Sequence, residues 1–114
     1  MDSFSLSTDL KTAKQARKGH RQVLAAKFEL GQLVATPGAL AALEESREEP
    51  GIFLSRHAAG DWGNLSDDDR KENEFSLVHG FRLLSSYRLH NGTKIWIITE
   101  ADRSSTTLLL PEEY

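Results

Sequence analysis

The stretch that decides the fold is residues 82–100, which read RLLSSYRLHNGTKIWIITE. Two runs rich in β-branched, aromatic and leucine residues, 82–90 and 93–100, lie on either side of Asn91-Gly92. Asn-Gly between such runs is the strongest short signal for a β-hairpin, because a type I′ turn needs positive φ at both central residues. The sequence therefore predicts a hairpin with a two-residue turn.

A two-residue turn also determines which side chains of the two strands face each other. With His90 opposite Thr93, Tyr87 lies opposite Trp96 on one face of the sheet. Such an aromatic cross-strand pair usually stabilises a sheet by packing. An exposed pair would instead offer a stacking surface for bases or a patch that binds protein.

Two further strands are expected around this hairpin. Residues 28–35 have the pattern of a short strand, and residues 105–110 have that of another, which Pro111 ends. Because 105–110 follows the hairpin after a short polar connection, we expect the last three strands to form a C-terminal β-meander.

Helices are predicted between the first strand and the hairpin. Thr36 is suited to cap a helix that begins at Pro37, and residues 52–57 have apolar positions on one helical face. Ser66 is suited to cap a third helix, whose apolar side we expect to be Phe75, Leu77 and Val78. The fold class is therefore α+β, with two or three short helices packed on a three- or four-stranded antiparallel sheet.

The chain divides by charge into two parts. Residues 1–27 carry six basic and two acidic side chains, whereas residues 28–114 carry eight basic and 15 acidic ones. We expect residues 1–27 to form a basic arm, as a frayed helix or a disordered segment, and residues 28–114 to form a single compact domain. The arm can contact nucleic-acid phosphates or an acidic protein surface.

Composition excludes several classes of protein. The absence of cysteine rules out disulfides and thiolate zinc sites. Without a signal-like N-terminus or an apolar run of about 18 residues, we expect a cytoplasmic protein with no membrane association. The four histidines have no metal-ligand spacing, and no glycine-rich phosphate loop is present, so we expect neither a metal nor a cofactor.

Three stretches carry a resemblance to known sequences: SRHAAGDWG at residues 55–63, IWIITEADRSSTT at 95–107 and LPEEY at 110–114. The chain from residue 28 onward resembles uncharacterised small bacterial proteins that are found on plasmids and other mobile elements. The resemblance implies a role on a mobile element and carries no activity.

The first candidate site is the group Arg56, His57, Asp61 and Trp62. An imidazole can act as a general base or acid, and a neighbouring carboxylate can hold its tautomer. The same residues also suit purely structural roles: Asp61 as a cap, Trp62 as a core anchor and His57 as a hydrogen-bonded, half-buried side chain.

The second candidate site is the polar end of the hairpin. The expected register brings Arg82 to this end, where its guanidinium can bind a phosphate or a carboxylate in a bidentate manner. The alternative is a local network in which Arg103 pairs with Glu100 or Asp102. The polar side chains are Thr99, Glu100, Asp102, Arg103, Ser104, Ser105, Thr106 and Thr107.

Two functions remain open from the sequence. The first is a non-enzymatic accessory protein for host defence or plasmid maintenance that binds a macromolecular partner, with protein favoured over nucleic acid. The second is a metal-independent ribonuclease of the toxin type with His57, Arg82, Glu100 and Arg103 as catalytic residues. In the first case, we expect the binding residues to be Asp61, Trp62, Tyr87, Trp96, Thr99, Asp102 and Thr106.

Overall fold

The computed structural model describes Phe4–Ser5 and residues 25–114. The predicted helical or disordered state of the basic arm therefore concerns residues that lie mostly outside the described part of the chain. The described strands are β1 (Phe4–Ser5), β2 (Gln32–Ala35), β3 (Leu83–Arg88), β4 (Lys94–Thr99) and β5 (Ser105–Leu109).

The strands form one sheet in the order β1-β2-β5-β4-β3. Strands β3, β4 and β5 are antiparallel neighbours, so the predicted C-terminal meander is confirmed. Strand β2 pairs with β5 in parallel, which differs from the all-antiparallel sheet that we expected. A parallel pair needs a long crossover connection, and the helices between β2 and β3 are part of one.

The hairpin register differs by one residue from the prediction. Tyr87 lies opposite Ile95, and Trp96 lies opposite Ser86. The loop contains three residues, because the N–H of Leu89 donates to Thr93 O (2.8 Å) and the N–H of Gly92 donates to Leu89 O (2.9 Å). With Gly92 at a φ of 89°, this is the three-residue alternative to the expected tight turn.

Contacts outside the hairpin account for this longer loop. The N–H of His90 donates to the Glu48 carboxylate (2.7 Å) and not to the opposite strand. Ile95 and Ile97 enter the core beside Tyr87 in this register, and both isoleucines are fully buried. The expected Tyr87–Trp96 pair is therefore wrong, since the two rings lie on opposite faces of the sheet.

Three α-helices complete the layer structure: α1 (Pro37–Ser46), α2 (Pro50–Ala58) and α3 (Asp67–His79). The predicted caps are confirmed, since Thr36 accepts from the N–H of Ala39 and Ser66 from that of Asp69. Helices α1 and α2 cover the face of the sheet that carries Ile95 and Ile97. No helix within the described ranges is long and apolar enough to cross a bilayer.

Helix α3 is attached to the sheet by a polar side chain. The amide of Asn73 donates to Leu84 O (2.5 Å) and accepts from the N–H of Leu84 (3.2 Å), so it replaces the peptide of a neighbouring strand at the outer edge of β3. Asn73 is the buried residue of the helix. Of the apolar side that we expected, Leu77 is half-buried, whereas Phe75 is 53% exposed and Val78 is 77% exposed, so the prediction is wrong for these two residues.

The C-terminal segment is bound to the start of α1. After β5, residues Pro111–Glu113 form a 3₁₀ helix. The Glu113 carboxylate accepts from the Thr36 hydroxyl (2.5 Å) and from the N–H of Leu110 (2.8 Å). This contact joins the end of the meander to the N-terminus of α1.

Two glycines with similar φ angles allow a test of the close contact between Gly63 and strand β3. Gly92 has a φ of 89° and an added Cβ would contact nothing, whereas Gly63 has a φ of 77° and an added Cβ would overlap Ser86 O. We expect Gly92→Ala to lower the free energy of unfolding by about 1–2 kcal/mol, the cost of the left-handed conformation. Gly63→Ala adds a steric clash, and we expect a loss above about 3 kcal/mol.

Urea unfolding of the two variants measures both losses. Gly63 lies in a parallel bridge with Ser86 beside β3. Equal losses for the two variants would contradict the close approach of residue 63 to this strand.

Candidate functional site

His57 lies in a buried chain of hydrogen bonds. Its Nδ1 is 2.5 Å from the Ser85 hydroxyl and its Nε2 is 2.8 Å from the Thr99 hydroxyl. Thr99 Oγ1 is 2.7 Å from Thr106 Oγ1, which in turn donates to the carbonyl of Leu30 (2.7 Å). This series of hydrogen bonds joins α2 to β3, β4 and β5 and to the segment before β2.

The bond from the Thr106 hydroxyl to the carbonyl of Leu30 determines the direction of the other hydrogen bonds in this series. The single hydroxyl proton of Thr106 is used on a carbonyl, so Thr99 must donate to Thr106, and Thr99 then accepts from His57 Nε2–H. Nδ1 has no proton in this tautomer and accepts from Ser85. In the neutral imidazole, the geometry therefore places the proton on Nε2.

The surroundings of His57 favour this neutral form. The side chain is fully buried, and burial together with the positive charge of Arg103 lowers the pKa of His57 to about 3. In the folded protein His57 has no solvent-exposed nitrogen for proton transfer.

Arg56, Asp61 and Tyr87 form a second cluster above the core. Arg56 Nε donates to the Asp61 carboxylate (2.7 Å), and its guanidinium carbon lies 4.6 Å from the centroid of the Tyr87 ring. The Tyr87 hydroxyl donates to the carbonyl of Asp61. Burial alone would raise the pKa of Asp61, but the bonds from Arg56 and from the N–H of Gly63 lower it below its ordinary value.

Trp62 is the core anchor that one sequence hypothesis expected. Its ring is buried and stacks on Phe28, with 6.2 Å between the ring centroids. The rings of Trp62 and His57 are nearly perpendicular, with 5.8 Å between their centroids. Its indole N–H donates to Glu74 of α3 (2.8 Å). Trp62 therefore connects the buried histidine to α3.

Arg103 connects the C-terminal end of α3 to the turn between β4 and β5. Its guanidinium donates to Phe81 O (2.7 Å), Glu100 O (3.1 Å), Ala101 O (3.3 Å) and Ser76 O (3.2 Å). Its backbone has a φ of 61°, a conformation that costs energy for a residue with a side chain. A cation at a helix C-terminus interacts favourably with the helix dipole, and here it holds the last turn in place.

The other predicted site residues are spread over the surface. Arg82 contacts Glu100 (3.4 Å) and the Tyr114 hydroxyl (2.9 Å). Trp96 is half-buried with the edge of Tyr114 at 5.8 Å, and Asp102 is exposed and accepts from the N–H of Ser104. The structure thus brings His57, Thr99 and Thr106 together in the core, whereas Arg82, Glu100 and Asp102 lie at the surface.

An exposed aromatic cluster is the feature that the sequence analysis missed. Phe75, Val78, His79 and Phe81 lie at the C-terminal end of α3, and we call them the α3 surface. The rings of Phe75 and Phe81 are stacked at 6.0 Å with an angle of 15°, and His79 lies 4.2 Å from Phe75. The low density of apolar residues in α3 was the available signal, because too few are present to bury one face of the helix.

The described residues form an open depression and hold no cluster suited to a metal ion. Residues 25–114 contain no group of three or more side chains arranged to hold a metal ion. The open depression has a volume of ≈ 230 Å³ and a mainly apolar lining that includes Glu29. Its lining residues are Ala26, Phe28, Glu29, Leu30, Gly31, Leu33 and Ala58.

Comparison of the chain with protein-family models, with curated proteins and with solved structures finds no match. The candidate site therefore depends on the geometry alone.

The buried histidine predicts a specific pH dependence of stability. The unfolded chain binds a proton at His57 near pH 6.5 and the folded chain only near pH 3, so the unfolded state is favoured as pH falls between these values. We expect His57 to lower the free energy of unfolding by about 1.4 kcal/mol per pH unit in this window. Urea unfolding at several pH values measures this slope.

The matched control is His57→Gln, which removes the titrating group. We expect its stability to fall less steeply between pH 6.5 and pH 3 than that of the wild-type protein, and equal slopes would contradict the assignment. Nitrogen-15 NMR of the wild-type protein tests the same point without substitution, since His57 should remain neutral and protonated at Nε2 at pH 5.

Proposed function

We propose that this protein is a non-enzymatic accessory factor that binds another protein through the α3 surface. The observation that carries the proposal is the exposure of Phe75, Val78 and Phe81, at 53%, 77% and 53%, in one cluster. Single exposed apolar residues are common on proteins, whereas a contiguous cluster is typical of an interaction site.

The composition of this surface supports a protein partner. The centre of a protein interface is enriched in aromatic side chains, and its rim is polar. Phe75 and Phe81 supply the aromatic centre. Arg82 follows Phe81 in the sequence and pairs with Glu100 (3.4 Å), which adds polar groups beside this centre. Large residues of this kind contribute most of the binding energy in many interfaces.

The surface is also held in a defined position. Asn73 attaches the middle of α3 to β3, and Arg103 attaches its C-terminal end to the β4–β5 turn. A surface that is ordered before binding loses less conformational entropy when a partner binds. The arrangement is therefore suited to recognition.

The biological setting is proposed from the sequence resemblance. The stretches at residues 55–63, 95–107 and 110–114 resemble sequences of uncharacterised small bacterial proteins that are found on plasmids and other mobile elements. We propose a role in host defence or plasmid maintenance, in which the bound protein is a component of the host or of the element.

The ribonuclease alternative receives no support from the geometry. His57 is buried in a complete set of hydrogen bonds, and the guanidinium of Arg103 is bonded to four carbonyl groups. His57 is fully buried, and the guanidinium of Arg103 is already used to hold the C-terminal end of α3. Arg82 and Glu100 pair with each other at the surface.

An RNA assay tests this conclusion. We expect total RNA to remain intact when it is incubated with the purified protein in the presence of a chelator. Cleavage that disappears in His57→Ala, with the variant still folded by circular dichroism, would instead support the ribonuclease.

A capture experiment tests the proposed function. We expect a protein partner to be captured from the natural host by the wild-type chain and to be lost, by about tenfold or more, with Phe75→Ser/Val78→Ser. Ile52→Ser is the matched control, since Ile52 is a 43% exposed residue of α2 outside the α3 surface. Quantitative mass spectrometry of the captured proteins gives the ratios.

Thermal unfolding of the variants separates loss of binding from loss of folding. Both Phe75 and Val78 are exposed, so the double variant should unfold within a few degrees of the wild-type protein. A partner that is captured equally by both variants would contradict the assignment of the α3 surface.

A further inference from the structure

A short irregular segment covers the buried histidine. Residues 25–31, which we call the strap, precede β2 and belong to no helix or strand. The ring of Phe28 meets the ring of His57 edge-on, with 5.2 Å between their centroids. Leu30 supplies the carbonyl at which the series of hydrogen bonds from His57 ends. The strap therefore adds an apolar contact and a polar contact to the surroundings of a fully buried imidazole.

The strap itself is held by few contacts. Apart from the bond at Leu30, the N–H of Lys27 donates to Ala58 O (2.8 Å). Five of the seven residues that line the open depression belong to the strap, so water reaches the strap from that side. A segment with few hydrogen bonds and an exposed backbone opens at a lower free energy than the strands of a core.

Gly31 joins the strap to β2. It has a φ of 67°, and an added Cβ would overlap the carbonyl of Ser104. Because glycine can adopt this conformation and many others, the backbone can turn here while β2 keeps its pairing with β5. The strap can therefore move as a unit without loss of the sheet.

The groups in contact with the imidazole are uncharged. They are the hydroxyls of Ser85 on β3 and Thr99 on β4, and the rings of Phe28 and Trp62. A charged imidazole in this position would have no anionic partner to offset the loss of its hydration.

The charges near His57 also oppose its protonation or are used elsewhere. Arg103, in the turn between β4 and β5, adds its positive charge to the effect of burial, and together they lower the pKa of His57 to about 3. The charged neighbours on α2 and the following loop, Arg56 and Asp61, pair with each other at 2.7 Å. On the strap, Lys27 lies beside Gly60, and Glu29 is exposed.

We infer that the strap is an acid-responsive cover, in which protonation of His57 opens residues 25–31 about Gly31 while the sheet and the helices remain folded. In the open state Phe28 leaves the imidazole, the Thr106 hydroxyl loses the Leu30 carbonyl, and water reaches the ring. A hydrated imidazole binds a proton near pH 6.5, so a fall in pH favours the open state. The strap acts in this way whether or not the α3 surface binds a partner.

Amide hydrogen exchange of the full chain, measured by NMR, tests the strap. The probe is the N–H of Lys27, and the reference is the N–H of Ile97 in β4, a strand paired on both sides. We expect the protection factor of Lys27, corrected for the intrinsic exchange rate, to be about 20-fold lower at pH 5 than at pH 7. At both pH values it should lie at least about 100-fold below that of Ile97.

The matched control is His57→Gln, which removes this imidazole and retains the other three histidines. Its Lys27 protection should change by less than about twofold between pH 7 and pH 5. A wild-type protection factor at Lys27 that does not depend on pH would overturn the link between the strap and His57.

Exchange in urea gives a second readout that needs no substitution. Opening of the strap exposes little surface, so Lys27 protection at pH 7 should stay within about twofold between 0 and 1 M urea, whereas that of Ile97 should fall about fivefold or more. Equal protection and equal urea dependence at the two amides would show that the strap opens only with the whole fold, and would overturn the inference.

Discussion

The hydrogen bonds of His57 are the interaction on which the other parts of the structure depend. One imidazole from α2 contacts Ser85 and Thr99, and through Thr99 it reaches Thr106 and Leu30. Loss of one member would leave a buried polar group without a partner, which costs about 1–3 kcal/mol. This series of hydrogen bonds therefore determines the position of α2 on the sheet as well as the alignment of three strands.

The same alignment of the strands determines on which face of the sheet the aromatic side chains lie. Because the hairpin loop contains three residues, Tyr87 faces the core with Ile95 and Ile97, and Trp96 lies on the opposite face against Tyr114. Burial raises the pKa of Tyr87, and its hydroxyl is bonded to the carbonyl of Asp61. Both aromatic side chains therefore pack against other residues of the fold.

The candidate binding surface results from the polar attachment of α3. Most surface helices bury an apolar face, which leaves their polar residues exposed. Here Asn73, Glu74 and the carbonyl groups bonded by Arg103 attach the helix. Phe75 and Val78 are therefore not needed for packing, and they remain exposed on an ordered element.

The sequence alone determined the local features of this protein: the caps at Thr36 and Ser66, the hairpin around Asn91-Gly92, the C-terminal meander and the α+β class. Each of these depends on neighbouring residues or on a short pattern of apolar positions. Only the tertiary structure decided the hairpin register, the burial of His57 and the exposure of Phe75. These depend on groups distant in sequence, such as Glu48 at the hairpin loop, Thr99 at the imidazole and Leu84 at Asn73. No pattern within a single helix or strand contains the geometry of those hydrogen bonds. These distant contacts determine which side chains are buried and which remain exposed.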